Sequence, residues 1–213
     1  MNPKLFLCLA LVLSSYCRAA IVFPAAPEKG RQIAYEKVSR VIQAFPQMFK
    51  GLATNELTIT NAQRMYAVSP QEVVSNNLLS AAKLYAWLYP FVHETNAVLS
   101  APVFINPKDG KLSKRGGVMD GKLVKDMLVA LQKADELPQV KKQDYECRYL
   151  VMPPSFVAAW LHGKSDDIII PLPPTYYGKK AYQPYTEKAI IKLLKPEAEN
   201  ILYMAKKYPH LPG

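Results

Sequence analysis

The residues best suited to nucleophilic chemistry are Cys147 and His162. They fall in two apolar runs, 145–152 and 155–162, that read as neighbouring strands, so a thiol–imidazole pair is geometrically possible, with Asp166 or Asp167 orienting the ring. The competing reading makes Cys147 a small buried apolar residue and His162 a polar group at a strand end. Glu146, Asp166 and Asp167 are the acids that would serve glycoside cleavage, a pairing made in space that leaves little local trace. Ser155 follows two prolines and lacks the Gly-x-Ser-x-Gly turn that exposes a serine nucleophile. His93-Glu94-Thr95-Asn96-Ala97 opens like the helix of a zinc protease, but Ala97 stands where the second histidine must be. No metal is therefore expected, and His93 reads as a helix-end residue beside unpaired carbonyls. No glycine-rich phosphate loop occurs, and no cofactor is expected.

Binding chemistry is better represented than catalytic chemistry. Residues 175–185 interleave Tyr176, Tyr177, Tyr182 and Tyr185 with Lys179 and Lys180. Tyrosine offers a flat apolar face with a polar tip at low entropic cost, and lysine beside it suits phosphate, sulfate or carboxylate groups. With the adjoining Trp160 and His162, these residues form the candidate contact surface. The bland alternative is that the rings clamp the loop onto the sheet and the lysines only solvate it.

These residues need elements to hold them. Residues 145–174 hold three short apolar runs rich in β-branched and aromatic side chains, separated by turn chemistry, which predicts a strand meander. The second run, diluted by Ala158-Ala159, also fits a short helix. Before it, residues 21–27 carry Pro24 and Pro27 and read as an extended arm. Ala34, Val38, Val41, Ile42 and Phe45 share one face of a helix ending before Pro46. Leu57 and Ile59, then 65–68, suggest a small hairpin.

Ser69-Pro70-Gln71-Glu72 is a helix start, and Val74, Leu78, Ala81, Ala82, Tyr85 and Leu88 extend it into a long helix ended or kinked at Pro90. Asn106-Pro107-Lys108-Asp109-Gly110 predicts a turn inside a loop or hairpin over 102–117. Asp120 caps a helix carrying Leu123, Met127 and Leu131 that stops near Leu137-Pro138, and Thr186 caps a last helix interrupted at Pro196. The expected fold is α+β: a small antiparallel sheet of about three to five strands, with 145–174 as core meander, packed on one face by four or five helices.

The ends and the charge bound the setting. Lys4, an apolar run over 5–13 and Ala19-Ala20 have the layout of a secretory signal peptide over residues 1–20, leaving 21–213 as a single domain. The run is too short for a membrane span, which needs about 20 apolar residues. Lipidation of Cys17 is the rival, disfavoured by Tyr16 before it. The formal net charge of +10 falls to +8 once Lys4 and Arg18 leave with the signal, and Cys147 then remains as a lone cysteine unable to form an internal disulfide. The absence of any Asn-x-Ser/Thr triplet fits a bacterial periplasm or secretion from a bacterium better than an animal secretory route.

Spread-out lysines and no nucleic-acid-binding motif argue against a specific nucleic acid. The expectation is an exported, non-enzymatic protein contacting a protein partner or an anionic envelope polymer. The alternative is a small secreted hydrolase using Cys147 and His162.

Overall fold

A computed structural model describes residues 21–49, 52–94, 96–176 and 178–209. The segment read as a signal peptide, with Cys17, lies outside them, as does Tyr177. The described residues form one mixed sheet of nine strands with four α-helices. In chain order these are β1 (Ile21–Val22), α1 (Glu28–Ala44), β2 (Thr58–Ile59), β3 (Gln63–Ala67), α2 (Pro70–Val74), β4 (Lys83–His93), β5 (Asn96–Phe104), β6 (Met119–Asp120), α3 (Lys122–Asp135), β7 (Tyr145–Met152), β8 (Phe156–His162), β9 (Asp167–Pro171) and α4 (Glu187–Lys207).

The sheet runs β6-β5-β4-β3-β7-β8-β9, with β1 added to β7 and β2 to β4. β1 and β3 both pair with β7 in parallel, and the remaining pairings are antiparallel. The content is α+β as expected, but the small antiparallel sheet is not. The three-strand meander β7-β8-β9 is one end of a much wider, nine-stranded sheet.

The largest correction lies at 70–93. The helix starts as expected, with Ser69 Oγ accepting from Glu72 N at 3.3 Å and Pro70 in the first turn. It lasts only to Val74, because Asn76 turns left-handed with φ 60°. The apolar stripe assigned to a helix then becomes β4. Its central section is buried on both faces, Ala86 and Leu88 to one side and Trp87, Tyr89 and Phe91 to the other. A strand covered on both faces shows no polar alternation, so its apolar run imitates a helical stripe.

Pro90 sits inside this central strand at a tolerated place. The partner of β4 changes there, from β3, which pairs Gln63 with Leu88, to β2, which pairs Ile59 with Phe91. Only the Pro90 carbonyl is used at that corner, accepting from Thr60 N at 3.2 Å. β2 and β3 therefore do not form a hairpin with each other; both line up on β4. His93 closes β4 instead of a helix, opposite Asn96.

Helices cover both faces rather than one. The α3 face of Met127, Ala130 and Ala134 packs on Cys147, Tyr149, Ala159, Leu161, Ile168 and Ile170. On the opposite face, α4 and Val73 of α2 cover Leu150, Met152, Phe156, Ala158 and Ile169. Farther across that same face, α1 covers Trp87, Tyr89, Phe91, Leu99, Ala101 and Val103. Gly30 lets α1 approach, since a Cβ there would lie 2.0 Å from the Tyr89 hydroxyl, which donates to Pro27 O at 3.1 Å. α4 is continuous through Pro196, and the 21–27 arm contributes β1 before reaching α1. Among the described residues no helix is long and apolar enough to cross a membrane.

Candidate functional site

Strand alternation decides which side chains can meet. Cys147 pairs with Leu161, so its thiol projects into the α3-covered face, 3.8 Å from Met127 Sδ. His162, one residue on, projects to the other face. The thiol and imidazole are on neighbouring strands, as the sequence suggests, but on opposite sides of the sheet, and a Cys147–His162 pair does not form. Burial in apolar surroundings pushes the Cys147 thiol up to about 12, with the Glu146 charge adding to the effect. Asp166 accepts from Tyr145 Oη at 2.6 Å, and it also bonds Gln143, which ties the β8–β9 turn to β7. Glu146 is committed to arginines, so the three acids do not assemble into a glycosidase-type pair.

On the face carrying His162, register builds one straight row across the sheet. Trp87 of β4 lies opposite Arg64 of β3, Arg64 opposite Arg148 of β7, and Arg148 opposite Trp160 of β8. Both tryptophans of the chain thus flank two arginines. The Arg64 guanidinium lies 5.4 Å from the Trp87 ring centre, and that of Arg148 lies 4.7 Å from Trp160 and 5.0 Å from Tyr66. Such stacking leaves guanidinium edges available for hydrogen bonds while covering the planes.

Glu146 stands beside the row. It receives Arg148 through two bonds, Nε at 2.9 Å and Nη2 at 2.8 Å, and Arg64 Nη1 at 3.2 Å. Partial burial works to raise its carboxyl. The Arg148 hydrogen bonds and the charges of Arg148 and Arg64 outweigh this, so the group sits below the usual carboxylate range. Asp167 Oδ1 accepts from Trp160 Nε1 at 2.7 Å and lies 2.8 Å from His162 Nδ1. A carboxylate only accepts, so His162 Nδ1 is the donor in this contact.

The row bridges the clusters under α1 and α4, Trp87 belonging to the first and Trp160, with Tyr66 against it, to the second. Exposure rises from the indoles, at 6% and 4%, to the side chains of Arg64 at 32% and His162 at 42%. Arg64 Nε is buried without a hydrogen-bond partner among the described residues. Val22 of β1 and Leu84 of β4 add exposed apolar surface on strands flanking the row. The accessible part of the row is therefore Arg64 and the neighbouring His162, backed by buried indoles.

The tyrosine loop does something else with most of its side chains. It straps the outer edge of β9. Tyr185 exchanges both backbone hydrogen bonds with Ile169 at 2.9 Å, and Tyr182 N donates to Pro171 O at 2.9 Å. Pro171 has no N–H, so this edge is closed to further strands. Tyr182 Oη donates to Asp126 of α3 at 2.7 Å, and Lys179 is buried in an ion pair with Glu197 of α4. Tyr185 Oη accepts from Lys180 N at 3.2 Å. Tyr176 and the Lys180 side chain face outward. The loop crosses β9 at 169 and 171, whereas His162 pairs with Asp167, so loop and histidine meet different stretches of that strand.

Of the residues that the sequence nominates, then, Trp160 stands in the row and His162 at its margin, while Lys179, Tyr182 and Tyr185 clamp the strap. The row's other members, Trp87, Arg64 and Arg148, are not singled out by sequence reasoning. One signal for them exists: Glu146 and Arg148 are polar at a spacing of two within a strand otherwise apolar, which marks a face left partly uncovered. Comparison with protein-family models, with curated proteins and with solved structures gave no match to the chain.

Proposed function

We propose that this protein is an exported, non-catalytic binding protein that docks a protein partner on the sheet face around the Trp87–Arg64–Arg148–Trp160 row. The observation that carries this reading is the register that sets both tryptophans and two stacked arginines in one line, with His162, Arg64 and Asp167 open at its margin. Arginine is enriched among the side chains that dominate contact energy between proteins, and here the buried indoles back Arg64 from beneath. A partner carboxylate or carbonyl suits the free edge of Arg64. Tyr176 and Lys180 of the strap are the remaining outward-facing contacts in this proposal. Export, to the periplasm or outside the cell, rests on the signal-like layout of residues 1–20.

The test places a photo-crosslinking residue at 162 and, separately, at 176, in cells that make the protein. An adduct of one discrete mass from position 162, abolished by Arg64→Ala without loss of fold, is the expected result. An adduct that forms equally with Arg64→Ala, or that forms only from position 176, removes the sheet face from the reading.

A further inference from the structure

The hairpin after β5 carries a second site, of a different kind. Residues 104–115 curl around a cleft of about 610 Å³ lined by Lys108, Lys111 and Arg115, with Asn106 and Ser113 and an apolar floor that includes Phe104 and Leu112. Among the described residues no carboxylate lines it. Asp109, the acid of this hairpin, is turned back on its own loop: Oδ1 accepts from Lys111 N at 3.1 Å and Oδ2 lies 3.5 Å from Lys111 Nζ.

The backbone that carries these cations is held by the fold. Ile105 pairs with Leu112, and Asn106 N donates to Lys111 O at 2.8 Å, which closes the hairpin. Its return limb is clamped to α1. Lys37, itself buried, donates through Nζ to Pro102 O at 2.7 Å and to Arg115 O at 2.5 Å, and Lys114 pairs with Glu36 at 2.7 Å. Gly116 then turns with φ 87° against the Phe104 ring, where a Cβ would come within 2.4 Å. Arg115 is thereby fixed through its backbone while its guanidinium stays exposed. Asp109 offsets only Lys111, so Lys108 and Arg115 leave a net positive potential at the cleft, and a multivalent anion relieves it.

We propose that this cleft binds a ligand carrying two or more phosphate or sulfate groups. The lysines serve as point charges and the arginine as a two-pronged donor to a tetrahedral oxyanion. The ligand's source is either a soluble polyanion or the headgroups of an anionic membrane surface, and the two share this chemistry.

Calorimetric titration of the purified protein with sodium tripolyphosphate, and flotation with vesicles of phosphatidylglycerol in phosphatidylcholine, test it. The Lys108→Gln/Arg115→Gln variant is compared with Lys206→Gln/Lys207→Gln, which removes the same charge from the far end of α4. Binding of either probe, weakened tenfold or more in the hairpin variant and less than twofold in the α4 variant, is the expected result, and the probe that binds assigns the source. Equal weakening in both variants shows only diffuse attraction to a basic protein and overturns the proposal, as does failure of both probes to bind wild type. Arg64→Ala leaves this binding unchanged, so the cleft and the sheet face stand or fall separately.

Discussion

Replacing Glu146 with glutamine tests the electrostatic core of the sheet-face row. The carboxylate accepts from three nitrogens of two guanidiniums, and its side chain is 19% exposed against 11% for Arg148 and 32% for Arg64. Removing one partner of a fully buried pair costs about 3–5 kcal/mol, since the other charge stays buried. An exposed pair is worth about 0–1 kcal/mol. This group lies between those limits, and glutamine keeps one acceptor, so a loss of about 2 kcal/mol is expected at pH 7. For a chain of this size that lowers Tm by roughly 4–8 °C.

The pH dependence carries the sharper test. The folded carboxyl sits below its unfolded value, so its contribution is complete above the ordinary glutamate pKa of about 4.3 and disappears as pH falls through the folded value. Urea unfolding of wild type and Glu146→Gln at pH 7 and pH 3 therefore shows a gap that narrows in acid. A gap equal at both pH values would refute the reasoning, because the lost interaction would then be packing rather than charge.

Four further outcomes are expected. Iodoacetamide leaves Cys147 unmodified in the native protein at pH 8 and labels it only in denaturant, because burial holds the thiol near 12; rapid native labelling would contradict its place against Met127. Tyr182→Phe loses the bond to Asp126 and costs about 1–2 kcal/mol by urea midpoint, whereas Tyr176→Ala changes stability by less than about 0.5 kcal/mol. Gly116→Ala costs about 1–3 kcal/mol, since both the left-handed turn and the Phe104 contact oppose a side chain. Deleting residues 21–27 removes β1 and the Pro27 acceptor of Tyr89, and a melting temperature unchanged by the deletion would show that the arm does not support the sheet.

Local signals in the chain are reliable where local physics decides the structure. The Ser69 cap, the turn before Gly110 and the β7-β8-β9 meander all appear, because each depends on a handful of neighbouring residues. The width of the sheet is not legible in the sequence. β4 reads as helix because its central section faces apolar neighbours on both sides, and β1, at two residues, is too short to leave a pattern. Pro90 reinforces the error. In isolation it argues against a central strand, and only the β2-to-β3 corner, built by residues 59–63, makes it harmless.

The site is harder to read than the fold for a related reason. Residue type alone nominates Trp160 and His162 correctly as neighbours on one surface, and Cys147 wrongly as a partner for His162. Parity separates the two cases. Cys147 and His162 each lie in the meander, yet Cys147 faces Leu161 across the β7–β8 ladder, so a single residue of offset puts thiol and imidazole on opposite faces. The same parity brings Arg64 beside Arg148, far away in the chain, through the parallel β3–β7 pairing that no local pattern announces. An arginine pair of this kind would repel in isolation; it is stable here because Glu146 bridges both guanidiniums and three aromatic rings cover their planes. Both indoles belong to the core clusters under α1 and α4, so the row is part of the core at its two ends, and Arg64, at 32% exposed, is where it opens to solvent.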